Sequence, residues 1–261
     1  MKIDAATRAE LALLTFQDNT ATIANQLDRK AYKLVNDVLT ACGGKWNRAR
    51  KTHVFDGDAE EALDSVITTG VVSTATDMQF FPTNPTEAES LVQWVLGDDK
   101  GEHLHILEPS AGNGAIARFA AQRGPTVMVE VDPKHEKALQ QIAVESPYVH
   151  SQVLMQNFMH MELDDMPNGK GFTHIVGNPP FAKTLGCDAI DHFLHSFSLL
   201  ASRGTLGKIM PESIDWRGDK RHKAFRGWLD DLGAEIEPLP DDAFKHAKTL
   251  VKTVRVKVRA I

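Results

Sequence analysis

Hydrophobic and polar positions change period along this chain. Between residues 103 and 258, short apolar runs alternate with stretches whose apolar residues recur at helical spacing. The runs at 103–107, 126–131, 148–155, 173–177, 205–210, 234–239 and 249–258 predict strands. The stretches at 115–122, 133–144, 188–201 and 220–232 predict helices. Such alternation implies a mostly parallel sheet covered on both faces. The last two runs follow each other with no clear helix between them, which suits an antiparallel edge strand.

The first part of the chain reads differently. Asp28 is placed to cap a helix running to Cys42, with Leu34, Val35, Val38 and Leu39 on one face and Gly43-Gly44 as the stop. Residues 44–55, GKWNRARKTHVF, read as two short strands around a basic turn. Asp58 is placed to cap a further helix over 59–68, closed by Gly70. These signals predict a small α-β-β-α module over 1–75 and a main domain over 76–261, with 71–80 as the connector.

Composition narrows the class. A chain of 261 residues holds one large domain, or one domain and a small module. Two cysteines without a CxxC exclude a disulfide scaffold and fit a reducing, cytoplasmic setting. No apolar stretch approaches the ~20 residues a membrane span needs, and no signal peptide is evident. The net charge of −6 argues against a wholly basic nucleic-acid coat protein. Cations are clustered nonetheless. Lys45, Arg48, Arg50 and Lys51 share an acid-free stretch around Trp46, and Lys220 and Arg221 follow closely on Trp216 and Arg217. Each patch is a candidate DNA contact or simply a solvated face. Trp46 is either a wedge for DNA or a plug between the module's helices. Trp216, beside Arg217, is expected to line the substrate cleft.

Three motifs carry chemistry. The first, Glu108-Pro109-Ser110-Ala111-Gly112-Asn113-Gly114, follows the first strand of the main domain. Its glycines permit a tight turn and a close backbone approach to a ligand. With Ala117 they also satisfy the dinucleotide pattern, so a structural turn and an NAD site both remain open on this motif alone. The second is Val129-Glu130-Val131-Asp132-Pro133, ending the next strand. A carboxylate there suits the hydroxyls of a ribose. Glu130 is assigned to that role and Asp132 to capping the following helix. The third is Asn178-Pro179-Pro180-Phe181, at the end of the fourth strand. Two prolines end the ladder and stiffen the exit. The rigid lip presents an amide, carbonyls and an aromatic face, a set suited to holding a planar amino group. Ligands of open α/β sheets bind beyond the carboxyl ends of the strands, which puts all three motifs on one edge.

Together these motifs resemble the class I AdoMet-dependent methyltransferases of the DNA adenine-N6 type, over residues 81–261. The family's catalytic (D/N/S)PP(Y/F) motif is matched by Asn178, Pro179, Pro180 and Phe181, and its cofactor loop by Glu108–Gly114. Phe80-Phe81-Pro82-Thr83-Asn84-Pro85 is similar to its upstream F-x-T-P stretch, which places Phe81 and Thr83 near the cofactor. The resemblance implies a Rossmann-like seven-stranded α/β sheet and S-adenosyl-L-methionine bound by Phe81, Thr83, Glu108, Ser110, Gly112, Asn113, Gly114, Glu130, Asn157, Phe158 and Asn178. It implies double-stranded DNA as partner, with the target adenine flipped out. Asn178 Oδ1 and the Pro179 carbonyl would accept hydrogen bonds from the target amine, and Phe181 would stack on the base.

Two departures stand out. The family's third motif carries Asp-Phe, whereas this chain has Asn157-Phe158. No long target-recognition region follows Phe181. His192 and His195 flank no further ligands at metal spacing, so they are expected to be packing or surface residues, with no metal. His103 and His105 are expected to be structural. Methylation of RNA or of protein glutamine, a non-catalytic DNA-binding protein and an NAD oxidoreductase are the competing readings.

Overall fold

The computed structural model describes residues 3–70, 83–163, 170–181, 187–240 and 252–261. The 71–80 connector and Phe81 lie outside the described residues. The main sheet is built from β5 (Ile106–Glu108), β6 (Thr126–Glu130), β7 (Gln152–Met155), β8 (Phe172–Gly177), β9 (Leu200–Pro211), β10 (Glu235–Pro238) and β11 (Thr253–Arg259). Their order is β10-β11-β9-β8-β5-β6-β7. The five strands from β9 to β7 are parallel, and β11 runs antiparallel between β9 and β10. This is the mostly parallel seven-stranded α/β sheet expected from the sequence. The chain winds one way from β5 to β6 and β7, then the other way to β8 and β9. The neighbouring strands β5 and β8 therefore mark a switch point, the place where sheets of this kind hold ligands.

Helices cover the sheet. Asn84 accepts from the Glu87 amide at 2.9 Å and starts α4 (Pro85–Leu96), with Pro85 in the first turn. Helix α4 is not among the helices that the hydrophobic pattern predicts. It packs so closely on β9 that a Cβ at Gly207 would lie 2.2 Å from Val95 Cγ2. The stretch 115–122 yields only α5 (Ala117–Ala120), because the glycine loop takes up its start. Helices α6 (Glu136–Glu145), α7 (Ala189–Ser198) and α9 (Lys220–Asp231) form where expected, and α8 (Ser213–Trp216) adds a single turn after β9. Asp188 and Asp191 form a reciprocal cap at the start of α7. One hydrophobic cluster joins the sheet to α4, α7 and α9.

A second cluster organises residues 3–70. Here α1 (Ala5–Ala12), α2 (Arg29–Ala41) and α3 (Ala59–Thr69) pack with four short strands. These are β1 (Thr15–Gln17), β2 (Thr20–Thr22), β3 (Lys45–Asn47) and β4 (Thr52–Val54), in the antiparallel order β1-β2-β4-β3. The expected α-β-β-α order thus gains α1 and the β1–β2 hairpin in front. Asp58 caps α3 and left-handed Gly70 ends it, as the sequence suggested. Val35, Val38 and Leu39 are buried, but Leu34 is 39% exposed at the rim of the α2 stripe.

The two clusters meet at α8. Trp216 packs against the smaller cluster, with Arg8 stacked 5.0 Å over its ring. Arg217 is buried and bonded to Asp64 of α3 at 2.7 Å, with Asp219 at 3.3 Å and Glu60 at 3.7 Å. No helix of the described residues is long and apolar enough to cross a membrane.

Breaking a buried ion pair by removing one partner strands the other charge. Replacing Arg217 by Ala is expected to lower unfolding stability by about 3 kcal/mol, read by denaturant titration. A change below about 0.5 kcal/mol would show that the cluster does not hold the two parts together.

Candidate active site

The glycine loop is a fixed turn rather than a floppy link. After β5, the Ala111 amide donates to the Val129 carbonyl at 2.9 Å, and the Gly114 amide returns to the Ala111 carbonyl at 2.8 Å. Gly112 and Gly114 have φ of +52° and +80°, in the left-handed region. A Cβ at Gly114 would also lie 2.2 Å from Ile142 Cδ1 of α6, so only glycine fits. Asn113 is exposed at the loop's tip and Ser110 is half-buried at its base.

Glu130 closes the loop from the neighbouring strand. Its Oε2 accepts from the Gly112 amide at 2.7 Å, and its Oε1 accepts from the Val131 and Asp132 amides at 2.8 Å each. Asp132 does the capping instead, accepting from the Lys134 amide at 3.1 Å. Below the loop lies a second carboxylate. Glu108 is buried, and its Oε2 has no hydrogen-bond partner among the described residues. Burial, then the charge of Glu130, pushes the Glu108 carboxyl well above its ordinary range, against a hydrogen bond from the Ala117 amide.

The proline lip meets this loop. Gly177, the last residue of β8, runs so close to Pro109 that a Cβ there would lie 3.3 Å from Pro109 Cδ. Asn178 Nδ2 donates to Thr83 Oγ1 at 3.1 Å, and Thr83 is buried directly ahead of α4. That bond joins the F-x-T-P-like stretch to the lip across 95 residues and orients the amide. Pro179 is buried, Pro180 half-buried. Phe181 is only 3% exposed and belongs to the large cluster. As it stands, the ring packs in the core, so stacking on a base requires it to swing out.

Asn157 and Phe158 follow β7. Asn157 Oδ1 caps the next turn by accepting from the Met159 amide at 3.0 Å. Phe158 is buried, with the rings of His195 and His192 at 4.7 and 5.5 Å. His195 Nε2 lies 3.2 Å from the Phe158 carbonyl. His192 Nδ1 lies 3.3 Å from Ser110 Oγ, and burial pushes its imidazole down to about 3, so it is neutral. Among the described residues no group of His, Cys, Asp and Glu is arranged to hold a metal.

Sequence reasoning missed Lys208. It pairs with Gly177 in register, is fully buried, and donates to the His192 carbonyl at 2.9 Å. Its ammonium sits 5.4 Å from the Phe158 ring centre, and burial pushes it well below its ordinary value. The available signal was a lysine inside the apolar run Leu206-Gly207-Lys208-Ile209-Met210.

The basic clusters fare differently. Lys45, Trp46, Arg48, Arg50 and Lys51 are all exposed, so Trp46 is no plug. The second cluster does not line an open cleft as expected. Trp216 and Arg217 are taken up by contacts with residues 3–70. Arg221 is held by Asp188 at 2.6 Å and Asp191 at 2.7 Å, leaving Lys220 exposed.

No family model and no curated protein matches the sequence. Solved structures do match its shape. The methyltransferase subunit of a type I restriction-modification system from Streptococcus thermophilus is 16% identical, with a TM-score of 0.60 over 78% of this chain and 48% of that one. The M protein of the type I restriction enzyme EcoKI is 15% identical, with a TM-score of 0.56 over 90% of this chain and 51% of that one. The 23S rRNA methyltransferase ErmE is 18% identical, with a TM-score of 0.50 over 70% of each chain. The chain spans about half the length of the two restriction-system proteins. This likeness shows a class I methyltransferase fold.

Glu108 makes the ligand-free protein pH-sensitive. Its folded pKa is raised, so the folded state holds a proton that the unfolded state releases. Stability from this group is full below the ordinary glutamate range and falls as pH rises towards the raised folded value, by up to ~1.4 kcal/mol per pH unit. Replacing Glu108 by Gln is expected to remove that slope and raise the melting temperature at neutral pH. An unchanged or steeper slope by calorimetry would contradict the assignment.

Proposed function

We propose that this chain transfers the methyl group of S-adenosyl-L-methionine to the N6 amine of adenine in DNA, in the cytoplasm, with the target base flipped out. The observation that carries the proposal is the meeting of the Asn178 lip and the glycine loop at the switch point, through the close approach of Gly177 to Pro109. An amine-gripping lip beside a ligand cradle is the layout that alkylation of an amine needs.

The donor set fits the cofactor. Glu130 places a carboxylate at the loop, and the buried Glu108, protonated in the ligand-free protein, would ionise beside a cation. Such a site favours a cationic ligand and opposes a pyrophosphate, which argues for a sulfonium over NAD. When bound, AdoMet supplies an electrophilic methyl on a neutral leaving group. Gly112, Asn113 and Gly114 would approach it with backbone, Ser110 would line its base, and Glu130 would trade the Gly112 amide for ribose hydroxyls. Thr83, Phe81, Asn157 and Phe158 would complete the surround.

The chain's own work at the target is alignment. Asn178 Oδ1 and the Pro179 carbonyl accept from the adenine amine, which localises its lone pair and aims it. Pro180 stiffens the lip. Exposing Phe181 costs about 2 kcal/mol, and stacking on a base returns ~1–3 kcal/mol. The two nearly cancel, so the ring leaves the core only when a base arrives. In this reading residues 1–75 are an accessory module and 76–261 the catalytic domain.

Wild-type protein is expected to pass tritium from labelled AdoMet to duplex DNA. Asn178→Ala should lower kcat roughly 100-fold or more, as for a misplaced reactant, with a smaller loss of AdoMet affinity. Label entering RNA or protein but not DNA would overturn the substrate. Equal background transfer by wild type and variant, with DNA binding retained, would favour a non-catalytic binder.

A further inference from the structure

We infer that the β3–β4 hairpin docks duplex DNA, its basic tip gripping phosphates while the Trp46 face packs against the groove. The inference rests on the DNA reading above and adds where the duplex is held. Charge is the first argument. The protein carries a net −6, yet residues 45–51 hold four cations and no acid. Lys45 is offset only by a surface contact to Asp56 at 3.4 Å, with both side chains mostly exposed. A pair of that kind contributes little. Arg48, Arg50 and Lys51 are exposed and take part in none of the ion pairs among the described residues. They differ in this from Arg217 and Arg221, whose guanidiniums are already held by carboxylates.

The second argument is Trp46. Of the chain's four tryptophans, Trp94, Trp216 and Trp228 pack against the hydrophobic clusters. Trp46 is 48% exposed. It is braced from behind by His53, its partner across the hairpin, at 5.0 Å. His53 is itself buried and lies 3.1 Å from Asn36 Oδ1 of α2. An aromatic fixed on its inner side and open on its outer side, flanked by free cations, is a surface for a polyanion with stacked or grooved apolar faces.

The third argument is rigidity. Asn47 Oδ1 accepts from the Ala49 and Arg50 amides at 3.1 and 3.0 Å, and Lys51 sits at a φ of +51°. The backbone of the tip is therefore held in one turn, from which the cations project. The module that carries it is fastened to the turn after β9 by Arg217 and Arg8. A duplex held at the hairpin is thus held relative to the main sheet.

The test is fluorescence-anisotropy binding of a labelled DNA duplex across salt concentrations. Each phosphate-held cation contributes ~0.9 to the slope of log affinity against log salt. The triple variant Arg48→Ala, Arg50→Ala, Lys51→Ala should therefore lose about 2 to 3 of that slope. Trp46→Ala should weaken binding roughly tenfold with the slope unchanged. Thermal unfolding of each variant separates a folding defect from a lost contact, and a charge-swapped Arg48→Glu variant supplies a second probe. Wild-type affinity and slope in the triple and charge-swapped variants would overturn the inference. Hairpin-dependent binding of duplex RNA but not DNA would do so as well. If wild-type protein labels DNA while the variants bind normally, only the docking inference fails. If wild type neither binds nor labels DNA, the functional reading fails with it.

Discussion

Two carboxylates held at one loop set the terms for the rest of this molecule. Glu130 closes the glycine loop by accepting from the Gly112 amide, and Glu108 is buried beneath it with one oxygen lacking a partner. Burial and the nearby charge of Glu130 keep Glu108 protonated in the ligand-free protein. A fold optimised for stability alone would place a neutral side chain at 108. Keeping an acid there makes sense if a cation is meant to relieve it. The same acidity makes a pyrophosphate-bearing ligand a poor match.

The sheet's winding supplies the second half of the site. Because the chain reverses direction beside β5, the exits of β5 and β8 stand next to each other. Gly177 lets them touch, and the Asn178–Thr83 bond ties the lip to the start of α4. Behind the lip, Lys208 and His192 link β9, α7 and Ser110 of the loop. The candidate site's edge is therefore braced from the helix α7 side by a small polar cluster and from the α4 side by Thr83.

Much of this was legible in the sequence because the physics is local. Buried parallel strands appear as apolar runs, and Asp28, Asp58 and Asp132 act as caps where their positions suggested. What was missed depends on distant partners. β1 and β2 are three residues each, too short for a periodic signal, and are held by pairing with each other and, for β2, with the distant β4. Helix α4 has an Asn84-Pro85 start signal, but those two residues also complete the F-x-T-P-like stretch, which masks the cap. Arg217 reads as a surface cation until Asp64, more than a hundred residues earlier, is seen to hold it. Phe181 reads as a base-stacking ring, and its burial follows from the cluster behind the lip. Lys208 is an apparent error of pattern that only the close-lying His192 carbonyl makes sense of.

The central claim is that the glycine loop is a site for a cationic nucleoside. Calorimetric titration of the protein with AdoMet, run in parallel with NAD, tests it most directly. The account predicts binding of AdoMet, weakened about tenfold or more by Glu130→Ala through the lost ribose contact, and no heat from NAD. Binding of NAD with no binding of AdoMet would contradict it.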